Sequence, residues 1–239
     1  MVILKKVVAW LLALVSSGAS ALGGYSADKD MVKVESNDIV EVQEADNYTF
    51  FDNKECDDTA IIFYGGAKVD EQAYTYLLES IAETGVADIY LVKCNLNLPI
   101  FDMNKADDAY NKCVDTYDRI YFGGHSLGGS TAEMYAVNHT DKVDGLIYLA
   151  SYGTKELPDS INNILYVYGE NDLVLNKEKL EADIDNMKEA EKNVVVNVIE
   201  GGNHAGFGCY GAQQGDGEAT ITNTEQIAIT VSSIYDFIG

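Results

Sequence analysis

Ala60 to Tyr64 reads AIIFY and stops at Gly65-Gly66. An unbroken apolar run of this length leaves no face for water, so it belongs in a strand covered on both sides. Further strands are read at Asp88 to Val92, Arg119 to Phe122, Gly145 to Ala150, Asn163 to Tyr168 and Val194 to Ile199. Between these runs the apolar residues take helical spacing, over Glu71 to Glu83, Ala106 to Cys113, Ser126 to Asn138, Lys177 to Ala190 and Thr224 to Phe237. Strands alternating with helices imply an α/β fold, a mostly parallel sheet with helices on both faces. Ile39 to Val42 and Tyr48 to Phe51 read as a short antiparallel pair ahead of it. Sheets of this kind hold their ligands at the carboxyl ends of the strands.

The chain has 239 residues, 47% of them apolar, two prolines and no repeat or low-complexity linker, so a single domain over residues 22–239 is expected. Its net charge of −23, from 16 basic and 39 acidic side chains, argues against nucleic acid or anionic membrane surfaces as partners and disfavours a highly anionic substrate.

The first 21 residues read as a signal peptide: Lys5-Lys6, the apolar run Val7 to Val15, then small residues ending in an A-x-A pattern at Ala21. The run is short for a membrane span, which needs roughly 20 apolar residues. The expectation is an exported protein, secreted or at the cell surface. Retention of the segment as a membrane anchor is the alternative. In an oxidising compartment Cys56, Cys94, Cys113 and Cys209 could pair, and Cys94 with Cys113 is the expected bridge, with free thiols as the alternative. Asn47-Tyr48-Thr49 and Asn138-His139-Thr140 match a glycosylation acceptor pattern. Nothing has metal-ligand spacing, so no metal is expected.

The strongest motif follows the strand Arg119 to Phe122. Gly124-His125-Ser126-Leu127-Gly128 fits G-x-S-x-G, a sharp strand-to-helix turn that lifts a serine hydroxyl above the sheet. The pattern gains meaning from its context, an apolar strand before it and a helix after it. A nucleophilic serine needs a base, and the chain offers three histidines. His125 adjoins the serine and cannot easily fold back onto its hydroxyl. His139 lies at the far end of the following helix, about 20 Å away at helical rise. His204 follows the last strand, at the same end of the sheet as Ser126. For the carboxylate that orients it, the turn after Tyr168 offers Asp172, with Glu170 as the rival. The order Ser126, Asp172, His204 is the triad order of the α/β-hydrolases.

From about Ile39 onward the chain resembles the α/β-hydrolase superfamily, and it is similar to small bacterial hydrolases grouped near the dienelactone hydrolases. The segments that carry the likeness are FYGGAKVDEQAY (63–74), YFGGHSLGG (121–129), YVYGENDLVLN (166–176) and IEGGNHAGFGCYGAQQGDGEATI (199–221). The last resembles a stretch found in exported, often membrane-tethered members. Serine replaces the cysteine nucleophile of dienelactone hydrolases proper, which argues against dienelactones as the substrate.

The resemblance implies the α/β-hydrolase fold and a mechanism without metal or organic cofactor. Ser126 attacks an acyl carbonyl, His204 takes its proton and Asp172 holds the imidazole. The oxyanion would meet the backbone N–H of Leu127 and that of Gly66 or Ala67. Between Ala150 and Asn162 there is little or no room for a lid, so the site should be open, with Tyr64, Lys68, Phe207 and Tyr210 as candidate lining residues. The loop Gly215-Asp216-Gly217-Glu218 resembles a cation loop only faintly. A carboxylic ester is the expected substrate. An acyltransferase on the same scaffold and an inactive binding module are the alternatives.

Overall fold

The apolar runs become strands of one eight-stranded sheet in a computed structural model, which describes residues 24–239 apart from 33–34, 57 and 140–141. The signal-peptide segment therefore lies outside the described residues, as does Thr140 of the second acceptor pattern. The strands are β1 (Val40–Glu44), β2 (Tyr48–Asn53), β3 (Thr59–Tyr64), β4 (Asp88–Val92), β5 (Arg119–His125), β6 (Gly145–Leu149), β7 (Asn163–Gly169) and β8 (Asn193–Ile199). Their order is β1-β2-β4-β3-β5-β6-β7-β8. Only the β1–β2 and β2–β4 pairs are antiparallel.

The chain leaves β3 for β4 on one side and returns to β5 on the other. The strand order thus reverses between β3 and β5, where Tyr64 is in register with Gly124. At such a reversal the loops from neighbouring strands part and leave a crevice. Here the parting loops are Gly65–Val69 and the Ser126 turn.

Helices α1 (Thr75–Glu83) and α5 (Asn223–Ile238) cover one face. There Leu77, Ile81, Ile227 and Ile234 pack on Ile61, Ile89 and Leu165. Helices α2 (Asp107–Thr116), α3 (Leu127–Ala136) and α4 (Lys177–Glu189) cover the other, where Ala132, Tyr135, Leu180 and Met187 meet Ile62, Phe122 and Tyr166. Two of the helices, α4 and α5, start at side-chain caps. Asn176 accepts from Lys179 N–H, and Thr222 with Glu225 forms a capping box, satisfying donors that the first turn leaves open. Residues 150–162 join β6 to β7 without a helix, in keeping with the expected lack of a lid.

Two expectations change. The four cysteines are free, so Cys94 and Cys113 do not pair. Cys94 stands past the carboxyl end of β4, whereas α2 has by Cys113 run most of its way back toward the start of β5. Tyr64, Phe207 and Tyr210 are core residues, at 0%, 0% and 7% exposure, and so do not line an open site. Apolar contact area outweighs their nearness to the strand ends. Lys68 remains half-buried at the surface.

Candidate active site

Ser126 closes β5 with φ 55° and ψ −123°, a conformation that an L-residue adopts only when its surroundings impose it, at about 1–3 kcal/mol. The imposing contacts can be named. The Ser126 N–H donates to Leu149 O at 2.9 Å, and its carbonyl accepts the Ser151 hydroxyl at 2.6 Å. The turn closes so tightly that a Cβ on Gly124 would lie 2.4 Å from the Gly128 carbonyl carbon, and one on Gly128 would lie 2.2 Å from Tyr64 O. Both glycines of the motif are therefore steric requirements. Ser126 itself is half-buried and heads α3.

His204 follows β8 and is 2% exposed. Its Nδ1 lies 2.8 Å from Asp172 Oδ2. Facing a carboxylate, Nδ1 carries the proton, so the lone pair is on Nε2, the tautomer a general base needs. That Nε2 is buried and has no hydrogen-bond partner among the described residues. It is not hydrogen-bonded to Ser126 Oγ.

Asp172, 1% exposed, is held by its other oxygen, which accepts the N–H groups of Val174 and Leu175, both at 2.8 Å. Glu170 turns elsewhere and accepts Gly201 N–H at 3.1 Å. The β7 turn thus offers two carboxylates, and only Asp172 faces the imidazole.

Among the described residues, no acceptor pairs with the N–H of Leu127 or that of Ala67. The Gly66 N–H, by contrast, donates to Tyr74 Oη at 2.8 Å. Of the two residues expected to supply the second oxyanion donor, Ala67 is the one with an open amide.

The loop that carries His204 is fastened by residues with no recognisable motif. The Gln226 carboxamide on α5, 1% exposed, accepts Asn203 N–H at 3.0 Å and donates to Asn203 O at 2.8 Å. Asp216 accepts Ala205 N–H at 2.9 Å, so the faint cation loop instead secures the histidine loop. Asn223 donates to the carbonyls of Gly206 and Gly208.

On the opposite face, Glu133 of α3 accepts the N–H groups of Thr154 and Lys155, and Asp183 of α4 accepts those of Gly153 and the Tyr166 hydroxyl. Burial pushes the Glu133 carboxyl up to about 7, against the pull of these amides. Burial also raises Asp183. No periodicity marks either carboxylate, because each is read only through the loop it holds.

A groove of about 1320 Å³ lies between α3 and α4, with Leu127, Met134, Tyr152, Leu157 and Met187 on its walls. Ser126, Asp172 and His204 are not among its lining residues. Among the described residues, no cluster of three or more His, Cys, Asp or Glu side chains is arranged to hold a metal, and no helix is long and apolar enough to cross a membrane.

No curated protein matches this sequence. Solved structures with a similar fold include carboxyl esterase 2 from Tuber melanosporum, at TM-score 0.61 and 10% identity over 96% of each chain. An esterase from Pyrobaculum calidifontis superposes at 0.61 with 14% identity, over 88% of this chain and 89% of that one. A dienelactone hydrolase-like promiscuous phosphotriesterase from metagenomic libraries superposes at 0.60 with 12% identity, over 84% of this chain and all of that one. At these identities the likeness is one of fold. The family model described as "Alpha/beta hydrolase family" matches residues 60–228, more than half of the sequence and the whole span from β3 to the Asp172–His204 pair, so the chain belongs to the alpha/beta hydrolase family.

Proposed function

We propose that the protein is a serine hydrolase that cleaves a carboxylic ester through an acyl-enzyme on Ser126. The single observation that carries this reading is the Asp172–His204 hydrogen bond at 2.8 Å, beside a serine held at positive φ. His204 Nε2 takes the Ser126 proton as the hydroxyl attacks the acyl carbonyl, then returns it to the leaving alcohol. Asp172 keeps the imidazole in the required tautomer and stabilises the imidazolium. The Leu127 and Ala67 amides receive the developing oxyanion, where preorganised donors contribute most because they need no reorientation during the reaction. Water then releases the acyl group by the same steps in reverse. The lidless β6–β7 connection favours small or extended acyl groups over long lipid chains.

A fluorophosphonate probe tests the reading directly. The folded protein labels, and folded Ser126→Ala does not. Absence of labelling in the natural protein would sink the hydrolase reading and leave a binding module. Export is part of the same proposal, resting on Lys5-Lys6, the apolar run that follows and the small residues up to Ala21. Intact mass of secreted material should give a mature start near Leu22, and a retained Met1 would mean an anchor.

A further inference from the structure

His125 stands inside the nucleophile motif but takes no part in the chemistry proposed above. It is 1% exposed, and its ring is 4.7 Å from that of His204, centroid to centroid. Its Nε2 lies 3.0 Å from the carbonyl oxygen of His204. A carbonyl only accepts, so Nε2 carries the proton and Nδ1 is an acceptor. Facing Nδ1 at 2.8 Å is Tyr74 Oη, which therefore donates, and whose own oxygen accepts Gly66 N–H at 2.8 Å. Every proton in this chain has one assignment: Gly66 N–H to Tyr74, Tyr74 O–H to His125, His125 N–H to the His204 carbonyl.

We infer that His125 is a positioning residue, which through this relay locks the histidine loop and the loop after β3 to the nucleophile turn. The relay joins the three segments that supply the base, the nucleophile and the second oxyanion donor. Its space is reserved by glycine: a Cβ on Gly66 would lie 2.9 Å from both His125 Nδ1 and Tyr74 Oη. The relay works only while His125 is uncharged, since a proton on Nδ1 would confront the Tyr74 hydroxyl proton. Burial first, and the His204 ring second, hold His125 well below the usual histidine range. The inference rests on the hydrolase reading for its kinetic readout only.

With three histidines in the chain, nitrogen-15 histidine NMR can assign each ring tautomer. His125 should be protonated on Nε2 and should not titrate between pH 5.5 and 9. Protonation on Nδ1, or titration within that range, would overturn the relay whatever the protein catalyses. The kinetic arm compares three variants per titrated Ser126. His125→Phe keeps a ring and loses both hydrogen bonds, and kcat should fall about tenfold with KM changed less than about twofold. His125→Gln, which can still donate to the His204 carbonyl, should recover most of that loss. Tyr74→Phe should lower kcat about threefold. A kcat for His125→Phe within about twofold of the natural protein, or no recovery in His125→Gln, would overturn the positioning role. If His125→Phe fails to fold, Tyr74→Phe and the tautomer spectrum carry the test. A natural protein that neither labels nor hydrolyses defeats the hydrolase reading and leaves the tautomer result standing on its own.

Discussion

The two faces of the sheet steady the Ser126 site by opposite means. On the α1–α5 face, the uncharged groups of Tyr74, His125 and Gln226 hold the backbone around His204. On the α2–α4 face, the buried carboxyls of Glu133 and Asp183 hold residues 153–155, and the same segment presents Ser151 to the Ser126 carbonyl. A neutral amide or imidazole keeps its hydrogen bonds over the working pH range, which suits the segment that carries His204. Carboxyls accept several amides at once, which suits a loop with no helix of its own, but their burial makes stability depend on pH.

The largest expected effects lie at the strand ends that both faces support. Ser126→Ala should abolish hydrolysis, a loss on the order of 10⁴-fold or more in kcat. Asp172→Asn should lower kcat on the order of 10³-fold, because the amide disturbs the His204 tautomer. Glu170→Gln should stay within about twofold, so p-nitrophenyl ester hydrolysis by these two variants separates the neighbouring carboxylates. Equal losses would mean that the geometry misidentifies the partner of His204.

Next in size is the clamp on the histidine loop. Gln226→Leu strips both partners from the half-buried backbone of Asn203, which should cost about 2 kcal/mol in denaturant unfolding. It should also lower kcat per active site about tenfold by loosening His204. A loss of stability with unchanged kcat would reduce Gln226 to a fold-stabilising role.

Opposite pH slopes give a smaller but diagnostic contrast. A glutamate normally titrates near 4.5, whereas Glu133 in the folded protein does so at about 7. Between those values the folded state holds a proton that the unfolded chain has released, so this group's contribution falls as pH rises from about 4.5 to about 7. The effect is worth up to about 3 kcal/mol, with Asp183 adding to the upward push and Lys155 opposing it. Glu133→Gln, which can still accept a backbone N–H, should flatten that slope and gain in relative Tm toward pH 8. His125 acts in reverse. Its proton affinity is depressed on folding, so its contribution is full above about pH 6.5 and declines as pH falls below that. Thermal unfolding from pH 4.5 to 8 should therefore show His125→Gln flattening only the acid side. Matching slopes for the two variants would erase the distinction between the faces.

The smallest expected effect belongs to Ser151→Ala, which removes one hydrogen bond to the Ser126 carbonyl and should cost about 1 kcal/mol.

Much of the architecture was legible along the chain because it depends on local pattern. Six largely apolar runs read as strands, and each is a strand of the sheet, with β8 at its edge only partly buried. The elements around Ser126 and the chain order of Ser126, Asp172 and His204 were legible for the same reason: turns at strand ends converge on one edge of a parallel sheet. The choice between Asp172 and Glu170 could be ranked from sequence but rests on which side chain the β7 turn aims inward. The Cys94–Cys113 expectation failed because nearness in sequence says little about which end of the sheet a helix has reached.

What no pattern announced is the packing around the turn. Tyr74, Gln226, Asp216 and the buried Glu133 come from four separate segments, and each matters only through the backbone group it meets across the fold. Hydrogen-bond partners of that kind are set by three-dimensional register, not by periodicity. Sequence therefore carried the sheet, the Ser126 turn and the short set of candidate acids and bases. The tertiary structure alone decided that Ala67 rather than Gly66 keeps an open amide, that His125 bonds Tyr74 and the His204 carbonyl, and that the histidine loop hangs from α5.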